Sequence, residues 1–170
     1  MGNNRRIFRK VMAFIGACGL LVLCSCGNDG SGSIPTGSLD DVMKDAASFY
    51  SIRGGSDYDR LPLRYPFHIV DTTGEPLLCN GRVVVVENVT AVNVHSNLIF
   101  GTYGSTEAFG KVHLGGWFIV EVSSHTNLPA AGEAEFVRTL AANGVTNQVL
   151  RSIKPLIKEF MHNGTLPFGR

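Results

Sequence analysis

The chain beyond its first 37 residues predicts an α+β fold, in which an antiparallel β-meander is accompanied by helices. Apolar and β-branched residues alternate through the middle of the chain, and apolar residues recur at helical spacing on either side of it. Glycine, proline and asparagine separate these segments at short intervals, as expected of a meander. We therefore expect about four to six strands, one N-terminal helix and two C-terminal helices.

The N-terminal helix is predicted over Ser38–Tyr50. Ser38 is a suitable N-cap residue, and Asp40 and Asp41 favour the positive end of the helix dipole. The following segment, 51–60, contains paired glycines and predicts a loop.

Strands are predicted over 61–71, 82–94, 97–104 and 115–125. Proline cannot donate to a strand ladder, so Pro66 predicts an edge position for the first of them. The last strand alternates between two faces. One face carries Trp117, Ile119 and Glu121, and the other carries Phe118, Val120 and Val122.

Two helices are predicted after the strands. The first covers 131–144 and ends at Asn143 and Gly144, because glycine accepts the left-handed conformation that ends helices. The second covers 146–164, and Pro155 within it is expected to kink or split the helix.

The first 25 residues have the layout of a secretory signal peptide. Basic residues between Arg5 and Lys10 precede an apolar run, Val11–Leu23. That run is shorter than the roughly 20 residues that a transmembrane helix needs. Arg5, Arg6, Phe8 and Lys10 also resemble the twin-arginine export motif, so both that route and the general secretory route stay open.

The end of this segment, Leu23, Cys24, Ser25 and Cys26, resembles the lipobox of bacterial lipoproteins. The resemblance implies that Cys26 receives a diacylglyceryl group and becomes the new N-terminus. Cys24 is the alternative, but it would put the bulky Leu23 where a small residue belongs. In bacterial lipoproteins, an aspartate directly after the lipidated cysteine favours retention in the inner membrane. Gly27 stands at that position here, so we expect the protein to be anchored on the periplasmic side of the outer membrane.

The sequence therefore predicts three parts of the chain. Residues 1–25 are the lipoprotein signal peptide, 26–37 are a flexible tether rich in glycine, serine and asparagine, and 38–170 are a single α+β domain. Within the domain, Trp117–Asn127 and Glu133–Val145 resemble a group of small bacterial cell-envelope lipoproteins with an uncharacterised domain. That resemblance implies fold and placement, and no chemistry.

Charge and cysteine content narrow the functional classes. Four of the fifteen Lys and Arg residues precede residue 26 and all fourteen Asp and Glu residues follow it, so the exported part is mildly acidic. This balance argues against nucleic acid as a partner. If Cys26 carries lipid, Cys79 is the one thiol left in the exported part, so we expect no intramolecular disulfide.

Recognisable catalytic motifs are missing from the sequence. It has no HExxH, CxxC or GxSxG pattern. His113, Glu121 and His125 are the one metal-like grouping, and strand histidines of this kind are more often surface residues. We expect no cofactor, no metal and no enzymatic activity.

The predicted function is therefore a non-catalytic binding or assembly role at the cell envelope. The membrane is contacted through the lipid, and the partner is an unidentified envelope protein. A periplasmic immunity or inhibitor protein against a toxin or cell-wall hydrolase is the alternative, and an enzyme or metal carrier exported in folded form is a third class. Besides segment 51–60, the candidate binding loop consists of Tyr103, Ser105, Thr106, Glu107 and Phe109.

Overall fold

The computed structural model of the chain describes residues 36–55, 57–108 and 111–169. The predicted signal peptide, Cys26 and nearly all of the predicted tether lie outside the described residues, as does Phe109. Within the described part, no helix has the length and apolar character needed to cross a membrane.

Four helices accompany eleven strands in the described residues. The helices are α1 (Leu39–Met43), α2 (Ala46–Ser51), α3 (Glu133–Ala142) and α4 (Ile153–Asn163). The strands of the first half are β1 (Asp59–Arg64), β2 (Phe67–Asp71), β3 (Leu77–Asn80), β4 (Val83–Val86) and β5 (Val89–His95). The remaining strands are β6 (Leu98–Tyr103), β7 (Thr106–Ala108), β8 (Lys111–His113), β9 (Gly116–Glu121), β10 (Thr126–Leu128) and β11 (Arg151–Ser152).

The predicted class, α+β with antiparallel strands, is confirmed. The strands do not form one meander, however, but two main sheets. The first sheet has the order β1-β2-β3-β4, the second has the order β10-β9-β6-β5-β11, and β7 pairs with β8 alone. Every strand pair is antiparallel.

The predicted N-terminal helix is divided into α1 and α2. Ser38 caps α1 as expected, since its hydroxyl accepts from the backbone N–H of Asp41 at 3.2 Å and the Asp41 carboxylate accepts in return. Asp45 then caps a second helix by accepting from the backbone N–H of Ser48 at 2.7 Å. The Asp45 side chain bonds a backbone N–H at the start of a new helix, which favours an extended conformation at Asp45 over continuation of α1. The predicted single helix is therefore divided in two.

The two expectations about proline need correction. Pro66 lies with Tyr65 in a turn that divides the predicted strand, so that β1 before it is an edge strand of the sheet and β2 after it is an inner one. Pro155 is the third residue of α4, because this helix begins at Ile153 and not at residue 146. A proline in the first turn of a helix removes no intrahelical hydrogen bond, so it neither kinks nor splits α4.

The other helix of the C-terminal region is close to its prediction. α3 ends at Ala142, and Gly144 adopts the left-handed conformation with φ of 79°. Its buried residues Phe136 and Leu140 pack on the second sheet at β9.

The second sheet is buried on both faces. Phe118 and Val120 face a core that this sheet shares with the first sheet and α4, whereas Ile119 faces a smaller core under α3. The predicted alternation of β9 is thus confirmed for its central residues. Burial on both faces leaves the edges of the sheet as the places where its backbone is accessible.

The outer face of the first sheet carries two buried polar side chains, Arg60 and His68, neither of which is exposed to solvent. The Arg60 guanidinium donates from Nη1 to the carbonyl oxygens of Phe49 at 2.7 Å and Ile52 at 2.8 Å, both at the C-terminal end of α2. It also lies 4.4 Å from the centroid of the Phe49 ring. Arg60 therefore fastens α2 to the sheet through the negative end of the helix dipole.

Burial changes the acid–base chemistry of this region. It lowers the pKa of Arg60 to about 10, which leaves the guanidinium charged at neutral pH. It also lowers the pKa of His68 to about 3, and the nearby charge of Arg60 adds to this effect. His68 is accordingly a neutral core residue whose ring contacts the edge of Phe49.

We predict that Arg60→Ala lowers the free energy of unfolding by about 2–4 kcal/mol, because it opens a cavity and leaves two buried carbonyl oxygens without a donor. Urea denaturation measures the change. Arg138→Ala is the matched control, since Arg138 is exposed and forms its ion pair with Glu135 on the same helix. It should cost less than about 0.5 kcal/mol. Equal losses for the two variants would contradict the role given to Arg60.

We predict that stability falls as the pH drops below about 6.5, the ordinary pKa of histidine, because protonation of His68 is disfavoured in the folded state down to about pH 3. At about pH 5 the loss is about 2 kcal/mol relative to pH 7.5. Urea midpoints at the two pH values measure it. His68→Leu should remove this difference; an unchanged pH dependence in that variant would disprove the assignment.

Candidate functional site

An open groove of about 370 Å³ lies between β4 of the first sheet and β9 of the second. Eight of the eleven residues that line it are apolar or aromatic, and the other three are polar. The apolar and aromatic residues include Val85, Val86, Tyr103, Trp117 and Phe118. The polar ones are Glu87, Thr106 and Asn127.

The groove runs beside a strand edge that is only partly covered. β10 pairs with β9 at Ile119–Glu121, and Pro129 directly follows its last residue. Gly116–Phe118 pair with β6 on one side and have no described strand on the other. Proline has no N–H to donate, so the ladder ends there and leaves this part of β9 open to another strand.

Beside the groove stands the hairpin of β7 and β8, which forms a two-stranded sheet of its own. Its first residue, Thr106, also lines the groove. Val112 is 65% exposed and Leu114, just after β8, is 81% exposed. An isolated two-stranded hairpin is only marginally stable in water, and exposed apolar residues of this size are typical of a contact surface.

Short-range contacts hold the base of this hairpin. Asn88, which has a positive φ of 51°, donates from its side chain to the carbonyl oxygen of Ser105 at 2.9 Å. The backbone N–H of Gly104 donates to the carbonyl oxygen of Asn88 at 2.8 Å. The point at which β6 leads into the hairpin is therefore tied to the turn between β4 and β5.

The Tyr103 ring occupies the space above a glycine in the neighbouring strand. The register pairs Tyr103 with Gly116, and a Cβ atom at Gly116 would come within 2.9 Å of the Tyr103 hydroxyl oxygen. The missing side chain of Gly116 thus makes room for the ring. Tyr103 forms one wall of the groove as a consequence.

The structure brings together part of the predicted binding loop. Tyr103 and Thr106 line the groove, whereas Ser105 is an exposed residue at the base of the hairpin. Glu107 belongs to β7 and pairs with Val112, while its side chain, like the whole of Phe109, lies outside the described part.

The second predicted contact segment, 51–60, is wrong at its last residues. Asp59 and Arg60 begin β1, and Arg60 is completely buried beneath α2. The alternation of apolar and polar residues in a strand does not show whether an arginine faces solvent or is buried against the end of a helix.

Sequence reasoning missed the residues that the first sheet contributes to the groove. Val85, Val86 and Glu87 lie far along the chain from the predicted loop and reach it only because the two sheets meet. One signal was available in the run of four valines from Val83 to Val86, since a strand that is apolar on both faces needs a cover on both. Val83 is nevertheless 64% exposed.

The three residues of the metal-like grouping do not come together. Among the described residues, no group of three or more His, Cys, Asp or Glu side chains is arranged to hold a metal ion. Nδ1 of His125 lies 3.2 Å from Nδ2 of Asn80, and its ring contacts the ring of Phe67. The Glu121 carboxylate accepts a hydrogen bond from the Ser124 hydroxyl.

The thiol of Cys79 lies inside the domain. The residue is buried, and burial raises the pKa of the thiol to about 12. A thiol in this environment remains protonated at neutral pH and is a poor nucleophile.

No protein-family model matches the chain, and neither curated proteins nor solved structures provide a match. The features of this chain that bear on function are therefore its groove, its hairpin and its N-terminal sequence.

Proposed function

We propose that this chain is a bacterial lipoprotein that is anchored through Cys26 to the periplasmic side of the outer membrane. Its domain binds another envelope protein through the groove and the β7–β8 hairpin, without catalysis. The observation that carries the binding role is the groove with its apolar walls. The exposure of Val112 and Leu114, in and just after the neighbouring hairpin, supports it.

The composition of the groove supports a protein ligand in extended form. A peptide strand can continue the second sheet along the open edge at Gly116–Phe118, where its backbone gains hydrogen-bond partners. Its side chains then meet apolar walls at Val86, Tyr103 and Phe118, and one carboxylate at Glu87. This combination favours a ligand strand that carries apolar residues and a positive charge.

The proposed anchor leaves the domain room to reach such a partner. Nine residues, 27–35, separate Cys26 from Thr36, the first described residue. Fully extended, the chain from Cys26 to Thr36 spans at most roughly 35 Å. Their glycine and serine content favours a flexible connection, so the domain can turn its groove toward a partner while the lipid stays in the membrane.

The inhibitor alternative gains no comparable support. A strongly acidic surface would favour it, and the chain has an acidic run near Asp40, Asp41 and Asp45. These carboxylates already serve the fold, however. Asp41 completes the capping box of Ser38 in α1, Asp45 caps α2, and Asp40 forms an ion pair with Arg82.

We predict that Cys26→Ser abolishes lipid attachment, because serine lacks the sulfur that is alkylated. Intact mass and detergent partitioning of protein from the native membrane measure the effect. Cys24→Ser is the matched control and should retain the lipid mass and the detergent partitioning. Loss of lipid in Cys24→Ser but not in Cys26→Ser would transfer the anchor to Cys24 and contradict the proposal.

We predict that a photo-crosslinking residue at Leu114 forms a discrete adduct with an envelope protein in living cells. The same residue at Val149, which is 62% exposed and does not line the groove, is the control and should form none. Mass spectrometry of the adduct identifies the partner. Equal crosslinking at the two positions, or none at Leu114, would count against a binding role of this surface.

A further inference from the structure

We propose that a second copy of this chain pairs with the outer edge of β4, so that the four-stranded first sheets of the two copies join into one continuous sheet. This inference goes beyond the proposed function, because it concerns the backbone edge of β4 and not a ligand in the groove. It predicts a closed dimer with two-fold symmetry, in which the two β4 strands run antiparallel.

Among the described strands, β4 is the last of the first sheet and is paired on one side only. It pairs with β3, and no described strand lies along its other side. The backbone N–H and C=O groups that point outward from such a strand form a template on which another strand can pair. The first sheet therefore ends in backbone groups whose hydrogen bonds a second chain can complete.

The composition of β4 favours pairing. Sheet edges are commonly protected by charged residues or proline, whereas all four residues of β4 are valine, a residue of high β-propensity. Val83 and Val84 are exposed to solvent. The register with β3 shifts only after Val84, so the half of β4 that begins at Val83 is regular as well as apolar.

The charges at the two ends of β4 select an antiparallel second copy. Arg82 directly precedes the strand and Glu87 directly follows it, and both are exposed. Antiparallel pairing of two identical strands brings the Arg82 end of each copy beside the Glu87 end of the other, so opposite charges meet at both ends. Parallel pairing would put arginine beside arginine instead. The strand is therefore complementary to itself in one direction only.

Both charged groups are available for this contact. Glu87 also lines the groove, and it forms no ion pair with the described side chains. Arg82 forms an ion pair with Asp40, but both side chains are largely exposed, and an exposed pair of this kind contributes little to stability. A guanidinium has five N–H donors, so Arg82 can bind a second carboxylate while it keeps the first.

Photo-crosslinking in living cells tests the proposal. Two full-length copies with different C-terminal tags are produced together, and one of them carries a photo-crosslinking residue at Val83. We expect an adduct that carries both tags and has twice the mass of the chain. The same residue at Val149, which is exposed and lies between α3 and β11, is the control and should give no such adduct.

Charge variants test the antiparallel arrangement. Arg82→Glu in both copies, or Glu87→Arg in both copies, should reduce the doubly tagged adduct by about tenfold, because like charges then meet at both ends of the paired strands. Arg82 does not line the groove, so the first of these variants leaves the proposed ligand site unchanged. Asp40→Ala in both copies is the matched control, since it removes only the partner of Arg82 within the chain, and it should retain the adduct. Loss of the adduct in Asp40→Ala would contradict the role given to Arg82.

The decisive sample combines one Arg82→Glu copy with one Glu87→Arg copy. Both ends of an antiparallel dimer then have opposite charges again, so the amount of adduct should return to near that of the wild type. Recovery also shows that both variants are folded. Absence of a doubly tagged adduct between wild-type copies, crosslinking of Val83 to a different protein alone, or failure of the mixed pair to recover overturns the proposal.

Discussion

The position of the N-terminal helices depends on one buried cation, Arg60, which joins α2 to the first sheet. A charge placed in a protein interior is costly unless polar groups receive it. Here the carbonyl oxygens of Phe49 and Ile52, at the end of α2, accept from the guanidinium, and the Phe49 ring lies against it. The helix pair that follows the predicted tether is thereby held on the outer face of the first sheet, where it also covers the neutral His68.

This covering determines where the protein can make contacts. The first sheet has α2 on one face and the shared core on the other, and the second sheet is buried on both faces. Accessible backbone remains at strand edges and at the hairpin that stands outside both sheets. The groove lies beside the strand edge at Trp117, and the exposed Leu114 directly follows the hairpin.

Local rules predicted much of the fold. The cap at Ser38, the end of α3 at Gly144 and the two faces of β9 each depend on residues close together in sequence, and each is confirmed. Of the site, the sequence indicated Tyr103 and Thr106, because a glycine-rich segment between strands is a common place for binding residues. Val85–Glu87 form a wall of the groove only because the two sheets pack together, and the periodicity of a sequence does not predict how two sheets pack.

The sequence by itself determined the α+β class and the position of most elements, because these follow from periodicity and capping. The lipoprotein anchor at Cys26 stays a prediction from a short motif. Tertiary structure alone decided the division into two sheets, the burial of Arg60 and His68, and the groove. Each of these arises from contacts between segments that are distant in the chain. Such contacts are selected by the total burial and hydrogen bonding of the whole domain, which no local pattern encodes.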